Sequence, residues 1–296
     1  MGQSVDNALV TQFSDMVHIE AQQTQARLKP YIKWKPMTGD NWAYDSLGTV
    51  ESVEASGRNV PVVFSDIQHS RRKIERQRFY VALPIDGFDK LGMLIDPNEE
   101  YAKAVVNGMM RRIDRVIVAA ATASVKTGRD FSTTISATTD GVLAVDATAG
   151  VTYEKLLEVN RNFTDNEVGN DIPVKKLLTI TGKEEEALMK ETELTSGDFS
   201  RQFAVERGEL VRAAGLDLIK YGASATSPIL ALNGAGTQRT CLAIAEGGIC
   251  VGVSKDLELK IQERPDMVDT YQVIAYFYLG AVRTEGKLVQ TFTTTV

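Results

Sequence analysis

Histidine, cysteine and clustered carboxylates carry most enzyme chemistry, and this chain of 296 residues holds few arrangements of that kind. Its two histidines, His18 and His69, stand far apart and beside no cysteine pair or carboxylate cluster. A zinc hydrolase or deaminase therefore lacks ligands. A serine nucleophile would have to take its base from one of these two, and no Gly-x-Ser-x-Gly elbow accompanies them. Exposed or interface polar groups are the plainer reading of both. Cys241 and Cys250 have no further cysteines to complete a metal site or a disulfide framework. They read as small apolar residues in or near strands, in a reducing compartment.

Thr181-Gly182-Lys183-Glu184 follows an oily run as a phosphate-binding loop would, but Leu177 stands where the first glycine belongs and Glu184 replaces Ser/Thr. A strand-to-helix turn fits better. Gly234-Ala235-Gly236 lacks the third glycine of a dinucleotide fingerprint, so Asn233-Gly234 reads as a turn. Asn162-Phe163-Thr164 matches a glycosylation acceptor but has no secretory context. The densest cationic run is Arg71, Arg72, Lys73, Arg76 and Arg78. It could meet nucleic acid, yet it has no glycine or aromatic interleaving and contains Glu75. A solvated strand or an intersubunit charge contact is the favoured reading. Glu184-Glu185-Glu186 suits an exposed helix start or a basic neighbour. No catalytic residue, cofactor site or metal site is expected.

The elements that would position these residues follow from periodicity. The dominant one is a helix over roughly 96–126, with Asp96 as N-cap, Pro97 at the first helical position, and Glu99 and Glu100 favoured by the helix dipole. Tyr101, Val105, Met109, Ile113 and Val116/Ile117 recur at three and four residues, giving one apolar stripe. Such a helix spans about 45 Å. Arg111 and Asp114 are spaced to pair on its surface.

Residues 6–28 read as an amphipathic helix through Leu9, Phe13, Met16/Val17, Ala21 and Leu28, followed by an extended Tyr31–Lys35 between Pro30 and Pro36. Residues 42–85 contain strand-forming Val50, Val53, Val60, Val62, Val63, Phe64, Phe79, Val81 and Leu83, with Gly57 near a turn, but too little apolar material for a core. A two-stranded ribbon alone is marginal, so a partner surface should hold it. Residues 128–150 form a Gly/Thr-rich connector with an Asp140-Gly141 turn. Then come a helix from Tyr153 to about Val168, with Leu156, Leu157 and Phe163 as its main apolar residues, a buried strand Lys176–Thr181, and a helix from Lys183 to about Thr192. Strands follow at Ala214–Tyr221, Thr240–Ala245, Leu257–Gln262, Tyr271–Leu279 and Lys287–Phe292. This order is α+β rather than an alternating parallel-sheet enzyme.

Hydrophobic residues make up 43% and charged residues 24%, ample for a globular core. The net charge of −6 argues against a surface that seeks nucleic acid throughout. No run approaches a membrane span, so no membrane partner is expected. The first six residues have neither a basic-then-oily pattern nor the Ser/Thr that myristoylation requires at Asp6, so no targeting signal is expected.

Taken in order, these elements resemble the major capsid proteins of tailed bacteriophages, with the Hong Kong 97-like fold. Phe13-Ser14-Asp15-Met16-Val17-His18 and Gln22-Gln23 resemble the arm of one subgroup, and Asn41 to Pro84 its extended loop. Arg111-Arg112-Ile113-Asp114 resembles its spine helix. Glu206-Arg207-Gly208-Glu209-Leu210-Val211 and Ala214-Gly215-Leu216 resemble the entry to its axial domain. Ile261-Gln262-Glu263-Arg264-Pro265-Asp266, Tyr271-Gln272-Val273 and Gly280-Ala281-Val282-Arg283 resemble its C-terminal segment.

The resemblance implies an N-terminal arm at 1–41, an extended loop at 42–85 and a peripheral domain at 86–150 built on the spine helix. It also implies an axial domain at 151–262 and C-terminal strands at 263–296 returning to the periphery. It implies a non-enzymatic protein that assembles with itself into hexamers and pentamers of an icosahedral shell around double-stranded DNA. The implied setting is the virion, assembled in the host cytoplasm, with portal and scaffolding proteins and a decoration protein as further partners. Some relatives cross-link through a lysine in the extended loop; residues 42–70 hold none, leaving Lys73 as a late candidate. An acidic chain suits a DNA container, because a basic wall would add a salt-dependent contact for every phosphate. The alternatives are a nanocompartment shell of the same fold enclosing enzymes, and an α+β enzyme using carboxylate, lysine or tyrosine as acid and base.

The stripe yields a first test. Ile113→Asp buries an unpaired carboxylate and should prevent folding outright. Soluble mutant protein with a wild-type melting curve would show that the stripe is not core.

Overall fold

The expected apolar stripe forms a 25-residue helix, α1 (Asn98–Thr122), about 37 Å long at the standard rise. Val105, Met109, Ile113, Ile117, Ala120 and Ala121 are its buried apolar residues. It stops short of the expected end because Lys126 belongs to a strand, β5 (Val125–Thr127). The computed structural model describes residues 22–54, 57, 61, 62, 64–86, 98–191, 210–223, 228–230, 232–264, 266, 267 and 270–295. Asp96, Pro97, His18, most of the expected N-terminal helix and the Glu206–Glu209 stretch lie outside them. The expected helix does not continue through Gln22–Leu28; a single 3-10 turn at Lys29–Tyr31 follows instead.

The strands before α1 are β1 (Lys33–Pro36), β2 (Asn41–Leu47), β3 (His69–Glu75) and β4 (Gln77–Asp86). After β5 come β6 (Thr133–Ile135), β7 (Leu143–Ala147), helix α2 (Tyr153–Asp165), β8 (Lys176–Thr181) and helix α3 (Gly182–Met189). The remainder is β9 (Arg212–Ala213), β10 (Leu216–Tyr221), β11 (Gln238–Ala245), β12 (Ile249–Arg264), β13 (Thr270–Arg283) and β14 (Val289–Thr295). The elements expected from Tyr153 onward are present with shifted bounds: Ala214-Gly215 is a turn before β10, Gly286–Leu288 is a 3-10 turn before β14, and β12 and β13 run longer than expected.

One six-stranded sheet has the order β7-β14-β11-β8-β10-β9. It is mixed: β14 runs parallel to β7 and antiparallel to β11, and β8 runs antiparallel to β11 and parallel to β10. That pattern accords with an α+β fold rather than repeated βαβ units. The β9–β10 hairpin turns at Ala214 and Gly215, both with positive φ (+48° and +81°). Helix α2 buries Leu156, Val159 and Phe163, spaced by three and four, while Leu157 faces solvent. Gln290 on β14 fastens α2 by donating to the Val159 carbonyl (3.1 Å) and accepting from Asn162 Nδ2 (3.2 Å).

A second sheet has the order β2-β3-β5-β6 and a third β1-β12-β13-β4. At the stem of the expected ribbon, β2 and β3 pair antiparallel from Asn41↔Glu75 to Leu47↔His69. Beyond that stem no described residue between Leu47 and His69 is in a strand, although Val62 and Phe64 were expected to be; Gly57 lies at a bend. The stem has an anchor that composition did not reveal. Ile74 joins Met37, Val125, Cys250 and Val282 in a buried cluster, with Trp42 and Tyr44 packed against it. Gly280 permits this approach, since a Cβ there would lie 2.2 Å from the Glu75 carbonyl oxygen.

The chain divides into two compact units. The first comprises Met1–Gln25, Arg78–Arg112 and Lys255–Phe277. In it Phe79 packs against Phe277 (ring centroids 5.4 Å apart) and carries the Arg112 guanidinium over its face at 4.5 Å. The second comprises Ala26–Gln77, Ile113–Ser254 and Tyr278–Val296, and holds the ribbon stem and the six-stranded sheet.

Candidate interface at the ribbon stem

Strand alternation sorts the basic run by face. Arg71 and Lys73 point outward with Glu75, whereas Arg72 and Ile74 point inward. Arg71 meets Asp45 across the ladder with its Nε 2.6 Å from Oδ1, and this partner raises its pKa. Such an exposed pair contributes little to stability. Lys73 and Lys126 both reach Glu75 Oε1 at 2.9 Å, and these hydrogen bonds hold the Glu75 carboxyl below its usual value. Arg76, in the turn between β3 and β4, pairs with Asp40 and lies 5.7 Å from the Tyr278 ring. Arg78 is exposed on β4, in the other compact unit. Arg72 thus stands apart from the outward-facing Arg71 and Lys73.

Arg72 enters a site the sequence did not announce. Its two terminal nitrogens grip Asp140 at 2.6 and 2.7 Å, and Nη1 also donates to the Arg283 carbonyl at 3.1 Å. Arg283, fully buried, donates Nε to Asp140 Oδ2 at 2.7 Å. Its Nη1 donates to the Ala121 and Ala123 carbonyls at 2.7 and 3.1 Å. Those carbonyls end α1, where a cation complements the helix dipole. The Asp140 side chain is only 6% exposed. Burial pushes its carboxyl up, but the bonds from Arg72 and Arg283 outweigh that and hold it below the usual carboxylate range. The turn at Asp140-Gly141 is close-packed: a Cβ on Gly286 would lie 2.0 Å from the Asp140 carbonyl oxygen. The available signal was Ile74, because an inward Ile74 requires an inward Arg72 two residues earlier.

Two other carboxylates depart from the surface roles expected of them. Asp114 is fully buried, accepting from the Arg27 and Leu28 backbone N–H groups (3.0 and 3.3 Å) and from Tyr221 Oη (2.9 Å). Burial, together with the Asp114 charge, raises the Tyr221 pKa. Glu184 is buried too, and forms a capping box with Thr181 that starts α3, so the supposed phosphate-loop position is a helix cap. It also accepts from Thr294 Oγ1 on β14 at 2.7 Å. Glu185 meets Lys220 at 2.6 Å and Glu186 meets Lys190 at 2.6 Å, the basic neighbours expected as one alternative.

This arrangement is poor at proton or group transfer near neutral pH. Guanidinium groups stay charged, and Asp140 and Glu184 are held ionised. Burial pushes the thiols of Cys241 and Cys250 up to about 12 and about 11, so neither is a ready nucleophile. Among the described residues no group of three or more His, Cys, Asp or Glu could hold a metal ion, and no helix is long and apolar enough to cross a membrane.

The chain is thus a mixed α+β protein with a long helix, an exposed loop and buried charges that tie remote segments together. The family described as phage capsid protein matches residues 5–295, and the chain belongs to it. The fold is that of solved phage shells. The cyanophage P-SCSP1u capsid matches with a TM-score of 0.73 at 15% identity, over 99% of this chain and 95% of that one. The head of Helicobacter pylori bacteriophage KHP40 matches with a TM-score of 0.74 at 10% identity, over 99% and 98%. Mycobacterium phage Che8 matches with a TM-score of 0.70 at 14% identity, over 97% of each. No curated protein matches. Membership in a phage capsid family leaves the nanocompartment alternative without support.

Asp140 gives a pH prediction. Its folded pKa lies below the ordinary value of about 3.9, so its stabilisation is complete above that value and is lost as pH falls through the depressed one. Asp140→Asn should cost about 3–5 kcal/mol at pH 7, because it leaves two buried guanidiniums facing each other. It should also flatten the fall in stability below about pH 4. Denaturant melts at pH 3 to 7 check both; an unchanged acid limb would remove Asp140 as its source.

Proposed function

We propose that this chain is the major capsid protein of a tailed phage, assembling with itself into hexamers and pentamers of an icosahedral shell that encloses double-stranded DNA. One observation carries the reading beyond family membership. The ribbon beyond the stem leaves its apolar side chains in water, with Phe64 92% exposed and Val62 79%. A covering neighbour offsets that cost, and repeated neighbour contacts build closed symmetry.

In this reading 1–41 is the arm, 42–85 the extended loop, and 86–150, built on α1, the peripheral domain. Residues 151–262 are the axial domain and 263–296 the C-terminal strands, of which β14 pairs with β7 and β11 in the six-stranded sheet. Portal and scaffolding proteins, and a decoration protein, are its further partners; assembly takes place in the host cytoplasm, and the chain catalyses no reaction. The exposed Arg71 and Arg78 and the half-buried Lys73 and Arg76 serve contacts between copies, whereas Arg72 serves its own protomer.

Electron microscopy of the chain expressed alone and with its neighbouring genes tests the reading. Uniform shells, or tubes and rings of hexamer size, support it; dispersed monomers under every condition sink it. Reversing the exposed Arg71 and Arg78 to Glu should lower shell yield at least tenfold while shifting stability by less than about 1 kcal/mol, as for exposed charges. Equal loss of folding and assembly would remove these cations from the interface.

A further inference from the structure

The contacts that fasten the ribbon stem to its own protomer differ in chemistry. In the sheet β2-β3-β5-β6, β2 is an edge strand, so the ribbon's lateral attachment runs through β3. Between β3 and β5 there is one register pair, Arg72↔Thr127, supplemented by the Gly128 N–H donating to the Arg71 carbonyl at 3.2 Å. Strand β5 begins only three residues after α1 ends, so this pair hangs the ribbon on the helix end. Along β3 the inward side chains are Ile74 and Arg72; Ser70, next on that face, is exposed. Ile74 is held by apolar packing, which is non-directional. Arg72 is held by a two-pronged ion pair, which fixes the guanidinium plane as well as its position. The surface ion pairs on the outward face are exposed and weakly directional, so the Arg72 grip is the buried contact that fixes the direction of β3.

We propose that Arg72 is the positioning residue of the ribbon: through Asp140 and Arg283 it sets the direction in which residues 48–68 leave the stem relative to the C-terminal end of α1, and that direction decides whether copies close into uniform shells. The proposal rests on the shell reading above. Arg72 and Arg283 have separate tasks at the shared carboxylate. Arg283 holds the helix end, and Arg72 holds the ribbon. Removing Arg72 leaves Asp140 paired with Arg283, so the protomer keeps a matched buried pair while the ribbon loses its buried directional contact.

The test compares Arg72→Met, Arg72→Lys and Leu156→Ala, each expressed with the neighbouring genes and scored by microscopy for shell yield and diameter, and by melting of the protomer. Leu156, fully buried on α2, makes a control that destabilises without touching the stem. Arg72→Met should reduce uniform closed shells at least tenfold, in favour of open sheets, tubes or mixed diameters. Arg72→Lys, which keeps the charge but not the two-pronged grip, should recover only part of that loss. Leu156→Ala should lower the melting temperature at least as much and still give uniform shells. If Arg72→Met is insoluble, Arg72→Lys alone carries the comparison with Leu156→Ala. Wild-type shells from the Arg72 variants overturn the proposal, and so does equal irregularity in Leu156→Ala. Absence of shells from the wild type overturns the shell reading itself, and this inference with it.

Discussion

Two guanidinium groups and one carboxylate share a site from which water is almost excluded, and three distant parts of the chain are tied there. Arg72 brings the ribbon stem, Arg283 the end of β13 and Asp140 the connector turn, while Arg283 also closes the last turn of α1. Burying charge is expensive, and such a group persists only where ion pairing and hydrogen bonding compensate closely. That requirement is also what makes the site informative about geometry. Apolar contacts around Ile74 tolerate sliding, whereas a guanidinium gripping both oxygens of a carboxylate admits only a narrow range of angles. The helix end and the ribbon base are therefore set against each other by directional bonds.

The same device recurs on a smaller scale. Asp114 gathers the backbone at Arg27 and Leu28 and the phenol of Tyr221 around the middle of α1. Glu184 begins α3 while receiving a hydroxyl from Thr294 on the last strand. In each case a carboxylate that costs much to bury is met by donors from segments remote in sequence. These acids are architectural, and their ionised state is part of the fold. Carboxylates held ionised in this way do not exchange protons readily near neutral pH.

What the protomer leaves unsatisfied is as informative as what it satisfies. The loop beyond the stem carries valines and a phenylalanine in water, and β12 exposes Leu259 and Ile261. Within a phage capsid family, such surfaces are the natural place for copies to meet. The net charge of −6 fits the proposed container, whose wall should not hold its DNA tightly.

The sequence by itself determined the elements. The 3.6-residue stripe from Val105 to Ile117 specified α1, the oily run Lys176–Thr181 specified a buried strand, and the lack of a catalytic kit with the order of segments led to the shell family. These signals are local: periodicity and turn chemistry act over a few residues and are written in consecutive letters. Tertiary structure alone decided the fate of the charges. Arg72 looked like one cation among five, Asp114 like a helix-surface acid, Glu184 like part of an exposed acidic start, and Asp140 like an ordinary turn residue. Their partners lie far along the chain: Arg72 and Arg283 are separated by more than two hundred residues. A charge is stable in the interior only where such a partner arrives, and that arrival depends on the path of the whole chain rather than on the neighbours of the residue itself.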